Sequence, residues 1–148
     1  MSQKWITYAA ALLLASSLNL ACSKKGPNTS GDVRTEANSA LKTVYFDFDQ
    51  YNIRSDAGST LKQNASWLKD NANINVIVEG NCDERGTNEY NMALGERRAN
   101  AVKDYLVNLG IAVSRLSTVS YGEEKPVCTE HDESCWSKNR RADSVVRK

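Results

Sequence analysis

Apolar positions along this chain fall into short runs and longer stripes. Thr43-Val44-Tyr45-Phe46-Asp47-Phe48 and Ile74-Asn75-Val76-Ile77-Val78 are short and rich in β-branched and aromatic residues, which predicts two strands. Leu116 to Tyr121 and Ala142 to Arg147 predict two more. Between the first pair, Leu61, Ala65 and Leu68 keep helical spacing, behind Ser55-Asp56 as a helix start and up to about Asn71. Asn88 to Leu109 carries a longer stripe of Leu94, Ala101, Val102, Tyr105, Leu106 and Leu109, closed by Gly110. Ser134 to Arg140 predicts a short helix. The order β-α-β-α-β-(α)-β predicts an α/β fold, a two-layer sandwich with helices packed on a mixed sheet. Its crossovers make the first three strands largely parallel, with right-handed connections.

One residue breaks the stripe. On a wheel with Leu94 at zero and about 100° per residue, Arg98 falls near +40°, between Ala101 near −20° and Leu109 near +60°. Arg97, near −60°, sits at its margin and can be solvated. A guanidinium on a buried face needs a carboxylate from the protein or from a ligand, because an unpaired buried charge is costly. Asp83 follows a buried strand at its C-terminal end, where α/β folds place ligands. Two arrangements fit the pair. Asp83 and Arg98 form a structural salt bridge, or they form a zwitterion site, with Arg98 on a carboxylate and Asp83 on an ammonium.

The N-terminal region reads differently. Lys4, an apolar run from Trp5 to Leu20 and then Ala21-Cys22 follow the grammar of a secretory signal. The run is short for a spanning helix, which needs roughly 20 apolar residues, though an uncleaved anchor is the alternative. Leu18-Asn19-Leu20-Ala21-Cys22 resembles a bacterial lipobox, with Leu18 and Ala21 the better-fitting positions. The expectation is a signal peptide over 1–21 and a Cys22 carrying diacylglycerol and an N-acyl chain, with no other cofactor. Ser23 after the cysteine resembles an outer-membrane sorting signal. A polar tether over 22–42 then leads into a domain over 43–148. As a coil of about 20 residues the tether spans roughly 25 Å on average and at most about 60 Å. Lys and Arg number 19 against 18 Asp and Glu, a net charge of +1. That balance gives no basic excess for nucleic acid, so no nucleic-acid partner is expected.

The stretch Gly80-Asn81-Cys82-Asp83-Glu84-Arg85-Gly86-Thr87, with Asn91, Leu94, Gly95, Arg98, Ala99 and Val102, resembles the OmpA-like C-terminal, peptidoglycan-binding domain family. The family motif G-x-x-D-x-x-G-x(4)-N-x-x-L-[SG]-x-x-R-A-x-x-V is matched at fixed spacing. Tyr45-Phe46-Asp47-Phe48-Asp49, Val119-Ser120-Tyr121-Gly122-Glu123-Glu124-Lys125-Pro126 and Ser137-Lys138-Asn139-Arg140-Arg141-Ala142 extend the likeness to its lipoprotein members. The resemblance implies non-covalent binding of the peptidoglycan stem peptide at meso-diaminopimelate, whose side chain ends in an ammonium and a carboxylate on one carbon. Asp83 would hold the ammonium and Arg98 the carboxylate. Phe48 and Asp49 would offer backbone groups, Asn91 and Leu94 would line the pocket, and Arg85 and Arg141 would reach the stem. It also implies the periplasmic face of the outer membrane and a TolB-like periplasmic partner. A non-lipidated or inner-membrane-associated accessory protein of another envelope machine is the alternative. Cys82 and Asn81 depart from the residues common at their positions in the family.

Cys128 and Cys135 bracket a short loop, and an oxidising compartment favours a disulfide between them, leaving Cys82 as a thiol. The rival is a metal site on Cys128, His131, Cys135 and Cys82. Asp47, Asp49, Glu79, Asp83 and Glu84 could suggest glycan hydrolysis, which needs one carboxylate of raised pKa. Arg98 beside Asp83 would instead keep it ionised, and His131 is the sole histidine. No enzyme is expected. Trp67 and Trp136 read as packing residues rather than sugar platforms.

Overall fold

The computed structural model describes residues 38–147. The expected signal peptide over 1–21, the acylated Cys22 and most of the tether lie outside the described residues. Four strands form one sheet: β1 (Val44–Tyr45), β2 (Val76–Asn81), β3 (Leu116–Gly122) and β4 (Arg141–Val146). Helix α1 (Ala57–Asp70) lies between β1 and β2, α2 (Asn88–Asn108) between β2 and β3, and the short α3 (Glu133–Asn139) before β4. The α/β architecture and the element order follow the sequence pattern. The spatial order is β1-β4-β2-β3. β2 and β3 pair in parallel across α2, and β4 runs antiparallel to both β1 and β2. The first three strands therefore run the same way, as expected, but β4 is inserted between the first two.

Each element has a local cause. Helix α1 buries Ala57, Leu61, Ala65 and Leu68, at helical spacing, on one face. Thr87 caps α2 by accepting from the Tyr90 N–H at 3.2 Å. The helix stops before Gly110, whose φ of +94° only glycine adopts easily. β2 alternates: Val76 and Val78 are buried against Leu61, Leu68, Val102 and Leu106, with Ile77 and Glu79 on the other side. The core begins a little before the boundary at 43 that composition suggests. Leu41 is buried, and Lys42 exchanges two 2.8 Å hydrogen bonds with the buried Asn64 side chain. Trp67 packs against this core. Among the described residues no helix is long and apolar enough to cross a membrane.

Two glycines set how close α2 lies to the sheet. A Cβ on Gly80 of β2 would stand 1.8 Å from the Gly95 carbonyl oxygen, and one on Gly95 would stand 2.3 Å from the Ser120 hydroxyl. Backbone therefore meets backbone where β2 passes under α2. Arg98, one turn further along α2, is held directly over the end of the strand.

Candidate functional site

Three segments converge at the C-terminal end of β2. The strand itself ends in a register shift at Gly80/Asn81 and delivers Cys82 and Asp83. Helix α2 delivers Asn91, Leu94 and Arg98. The turn after β1 delivers Phe48 and Asp49, with Asp49 at φ +56°, a left-handed conformation that Asp tolerates. Together with Arg85, Gly86, Tyr90 and Arg140 they line a cavity of about 210 Å³. The structure thus brings together Phe48, Asp49, Asp83, Arg85, Asn91, Leu94 and Arg98.

Arg141 is placed elsewhere. It turns to Asp143 at 2.8 Å and to the Lys125 carbonyl at 3.2 Å. Arg140 lines the cavity in its place. Arg140 closes α3 and Arg141 opens β4, and the two side chains turn to different partners. The paired arginines were visible in the sequence, but choosing between them needs the point where β4 begins. Its pairing supplies that: Ala142 lies opposite Gly80, and Asp143 opposite Glu79.

Arg98 is fully buried. Its Nε donates to the Gln50 carbonyl at 2.8 Å, its Nη1 to the Asn81 carbonyl at 2.9 Å and the Cys82 Sγ at 3.4 Å, and its Nη2 to the Asp47 carbonyl at 3.1 Å. Of the two expected arrangements, the structural salt bridge is not formed. Arg98 makes no salt bridge with Asp83, and among the described residues no carboxylate lies within ion-pair distance of it. Carbonyl oxygens orient the guanidinium without neutralising it. Burial accordingly pulls its pKa down, against the pull of Cys82 and Asp83 nearby.

Asp83 is buried too, and held by other cations. Arg85 Nη2 reaches its Oδ2 at 2.7 Å and Arg140 Nη1 reaches the same oxygen at 3.1 Å. Burial alone would raise the carboxyl pKa, but the hydrogen bonds from Arg85 and Arg140 outweigh it and hold Asp83 below the ordinary carboxylate range. Asn91 pins the loop by donating to the Asp83 carbonyl at 3.2 Å and to the Glu123 carboxylate at 2.6 Å. Its burial on α2 is the structural use of that motif position. Arg85 lies over the Phe48 ring at 3.9 Å and the Trp136 ring at 4.2 Å. Trp136 is therefore a wall of this region rather than core. Its indole N–H donates to Glu84 at 2.8 Å, and Glu84 also meets His131 at 2.7 Å.

Cys128 and Cys135 form a disulfide, which engages both sulfurs that a metal on this loop would need. Cys82 is a buried thiol. It donates to the Asn91 carbonyl at 3.3 Å, and burial pushes its pKa up to about 11.

Comparison with known proteins places this geometry. The OmpA family model matches residues 45–141. The chain is 46% identical to the peptidoglycan-associated lipoprotein of Mesorhizobium japonicum over 133 residues, 81% of this chain and 79% of that protein. It is 52% identical to the protein of the same name from Rhizobium meliloti over 103 residues, and there spans only 58% of the relative's length. The crystal structure of the peptidoglycan-associated lipoprotein from Burkholderia pseudomallei superposes with a TM-score of 0.69 at 46% identity, covering 72% of this chain and 90% of that chain.

Proposed function

This chain belongs to the OmpA family, and we propose that it is a lipoprotein whose domain binds peptidoglycan without covalent chemistry, at the diaminopimelate of the stem peptide. The names of its relatives support the peptidoglycan-binding part. The observation that carries the rest is Arg98. A buried guanidinium, oriented by three backbone carbonyls and neutralised by none of them, lines a cavity shared with a buried carboxylate. An anion entering there removes the cost of the unpaired charge. A ligand carboxylate suits a guanidinium, and the Phe48–Asp49 turn lies beside it to offer backbone groups. An ammonium on the same ligand carbon suits Asp83. The end of a diaminopimelate side chain supplies both groups; lysine supplies only the ammonium.

In the cell this site would hold the wall while a diacylglycerol and an N-acyl chain on Cys22 hold the periplasmic face of the outer membrane. Many weak contacts along a polymer act through avidity. A TolB-like periplasmic protein, in a Tol-Pal-like system, is the proposed protein partner. The binding test is calorimetric titration with a stem tripeptide ending in meso-diaminopimelate, and with its lysine counterpart. The expected result is binding of the first only, lost in Asp83→Ala and Arg98→Ala variants that still melt cooperatively. Equal binding by wild type and both variants would remove the site from this surface. Loss of palmitate labelling in Cys22→Ser tests the anchor.

A further inference from the structure

The carboxylate offered to a ligand ammonium is already occupied. An ionised carboxylate accepts about four hydrogen bonds. Oδ1 of Asp83 accepts from the Arg85 backbone N–H at 3.1 Å and from Arg85 Nε at 3.3 Å. Oδ2 accepts from Arg85 Nη2 at 2.7 Å and from Arg140 Nη1 at 3.1 Å. Nothing is left over for a ligand.

The two arginines are held very differently. Arg140 is buried; its Nε donates to the Phe46 carbonyl at 3.1 Å and its Nη2 to Glu133. It belongs to the frame. The Arg85 side chain is 30% exposed and rests between the Phe48 and Trp136 rings. Apart from Asp83, its ion-pair partner is Glu133 at 3.5 Å, itself a largely exposed side chain. Moving the Arg85 guanidinium away from Asp83 frees two acceptor positions. The backbone N–H and Arg140 still hold the carboxylate in place.

We infer that Arg85 is a built-in occupant of the ammonium position that every ligand ammonium must displace, so that only a ligand that also neutralises Arg98 binds appreciably. This rests on the diaminopimelate site proposed above. An internal guanidinium competes at the high effective concentration of a tethered group. It also presents a two-pronged fork where an ammonium is a point charge. A lone amine therefore exchanges a good partner for a poorer one and gains nothing else. A zwitterion displaces Arg85 and, in the same event, neutralises Arg98, whose charge has no carboxylate partner among the described residues. Removing the Arg85 charge lowers this shared cost for both ligands by the same factor and leaves the preference set by Arg98 in place.

The experiment is calorimetric titration of the full chain and of Arg85→Gln and Arg85→Lys, each with the diaminopimelate tripeptide and the lysine tripeptide, with melting curves as a check of folding. Arg85→Gln is expected to bind the diaminopimelate peptide up to about fivefold more tightly. The lysine peptide should gain by the same factor, its lower affinity relative to the diaminopimelate peptide unchanged. Arg85→Lys, keeping the charge but losing the fork, should fall between it and the wild type, and stands in if the glutamine variant does not fold. Wild-type binding of diaminopimelate with equal or weaker binding by the variants overturns the occupant role and leaves the site standing. No binding of either peptide by any of the three proteins overturns both.

Discussion

Alanine at Gly80 and alanine at Gly58 add the same methyl group and should have opposite effects. In Gly80→Ala the new Cβ stands 1.8 Å from the Gly95 carbonyl oxygen and 2.6 Å from its carbon. Both atoms are helix backbone, so no side chain can rotate away. To reach ordinary contact, near 3.4 Å, α2 must withdraw from β2 by about 1.5 Å. That withdrawal loosens Leu94, Ala99, Val102 and Leu106, the buried residues α2 brings to the sheet. Overpacking of this kind costs about 3 kcal/mol at the upper end of its usual range. For a domain of this size each kcal/mol moves the melting temperature by about 4 °C, so a fall of about 12 °C is expected. At Gly58 the nearest atom to a Cβ is the Tyr105 hydroxyl at 3.1 Å, the far end of a movable side chain. Inside helix α1 the exchange of glycine for alanine stabilises by about 0.5–1 kcal/mol. Far-UV circular dichroism melts of the two variants check both signs. A Gly80→Ala protein melting within 2–3 °C of wild type would show that α2 does not owe its position to this backbone contact.

Three further outcomes follow from the same structure. Reducing the Cys128–Cys135 bond, or replacing both residues with serine, should lower unfolding stability by about 2.5 kcal/mol, from the entropy of a loop of about eight residues; urea titrations with and without reductant measure it. Cys82, with its pKa near 11 and its thiol buried, should resist alkylation at pH 8 in the folded chain and react promptly in denaturant. Asp83 has a depressed folded pKa, so its ionised form stabilises above the unfolded carboxylate value, and that contribution fades as pH falls through the folded value. The stability gap between wild type and Asp83→Asn should therefore be widest near neutral pH and close on acidification; a gap independent of pH would mean that the charge of Asp83 is not what Arg85 and Arg140 stabilise.

How far the site could be read ahead of the structure depended on the range of each interaction. Arg98 was conspicuous because helical periodicity alone puts it on a buried face, and it is fully buried. Its partners were not legible. The carbonyls of Asp47 and Gln50 come from a turn about 50 residues earlier in the chain, and a carbonyl has no side-chain signature. Gly80 and Gly95 stood out as motif positions, yet their use as a backbone-to-backbone contact emerges only when β2 and α2 are placed together. Arg140 was hidden beside Arg141 because the point where α3 gives way to β4 is set by the sheet pairing of β4, not by local pattern. The insertion of β4 between β1 and β2 was likewise outside the reach of periodicity, which reports faces and not neighbours.

That strand order has a kinetic consequence. β1 pairs only with β4 and never with β2, so Val44 waits for Ala142 before its ladder can form. Until the segment from Arg141 to Val146 is available, the turn that carries Phe48 and Asp49 has no sheet to hang from. The nascent chain can form α1, α2 and the β2–β3 pair, but it cannot close the half of the site that lies after β1. Closure by such distant partners makes that half of the site the slow part of folding.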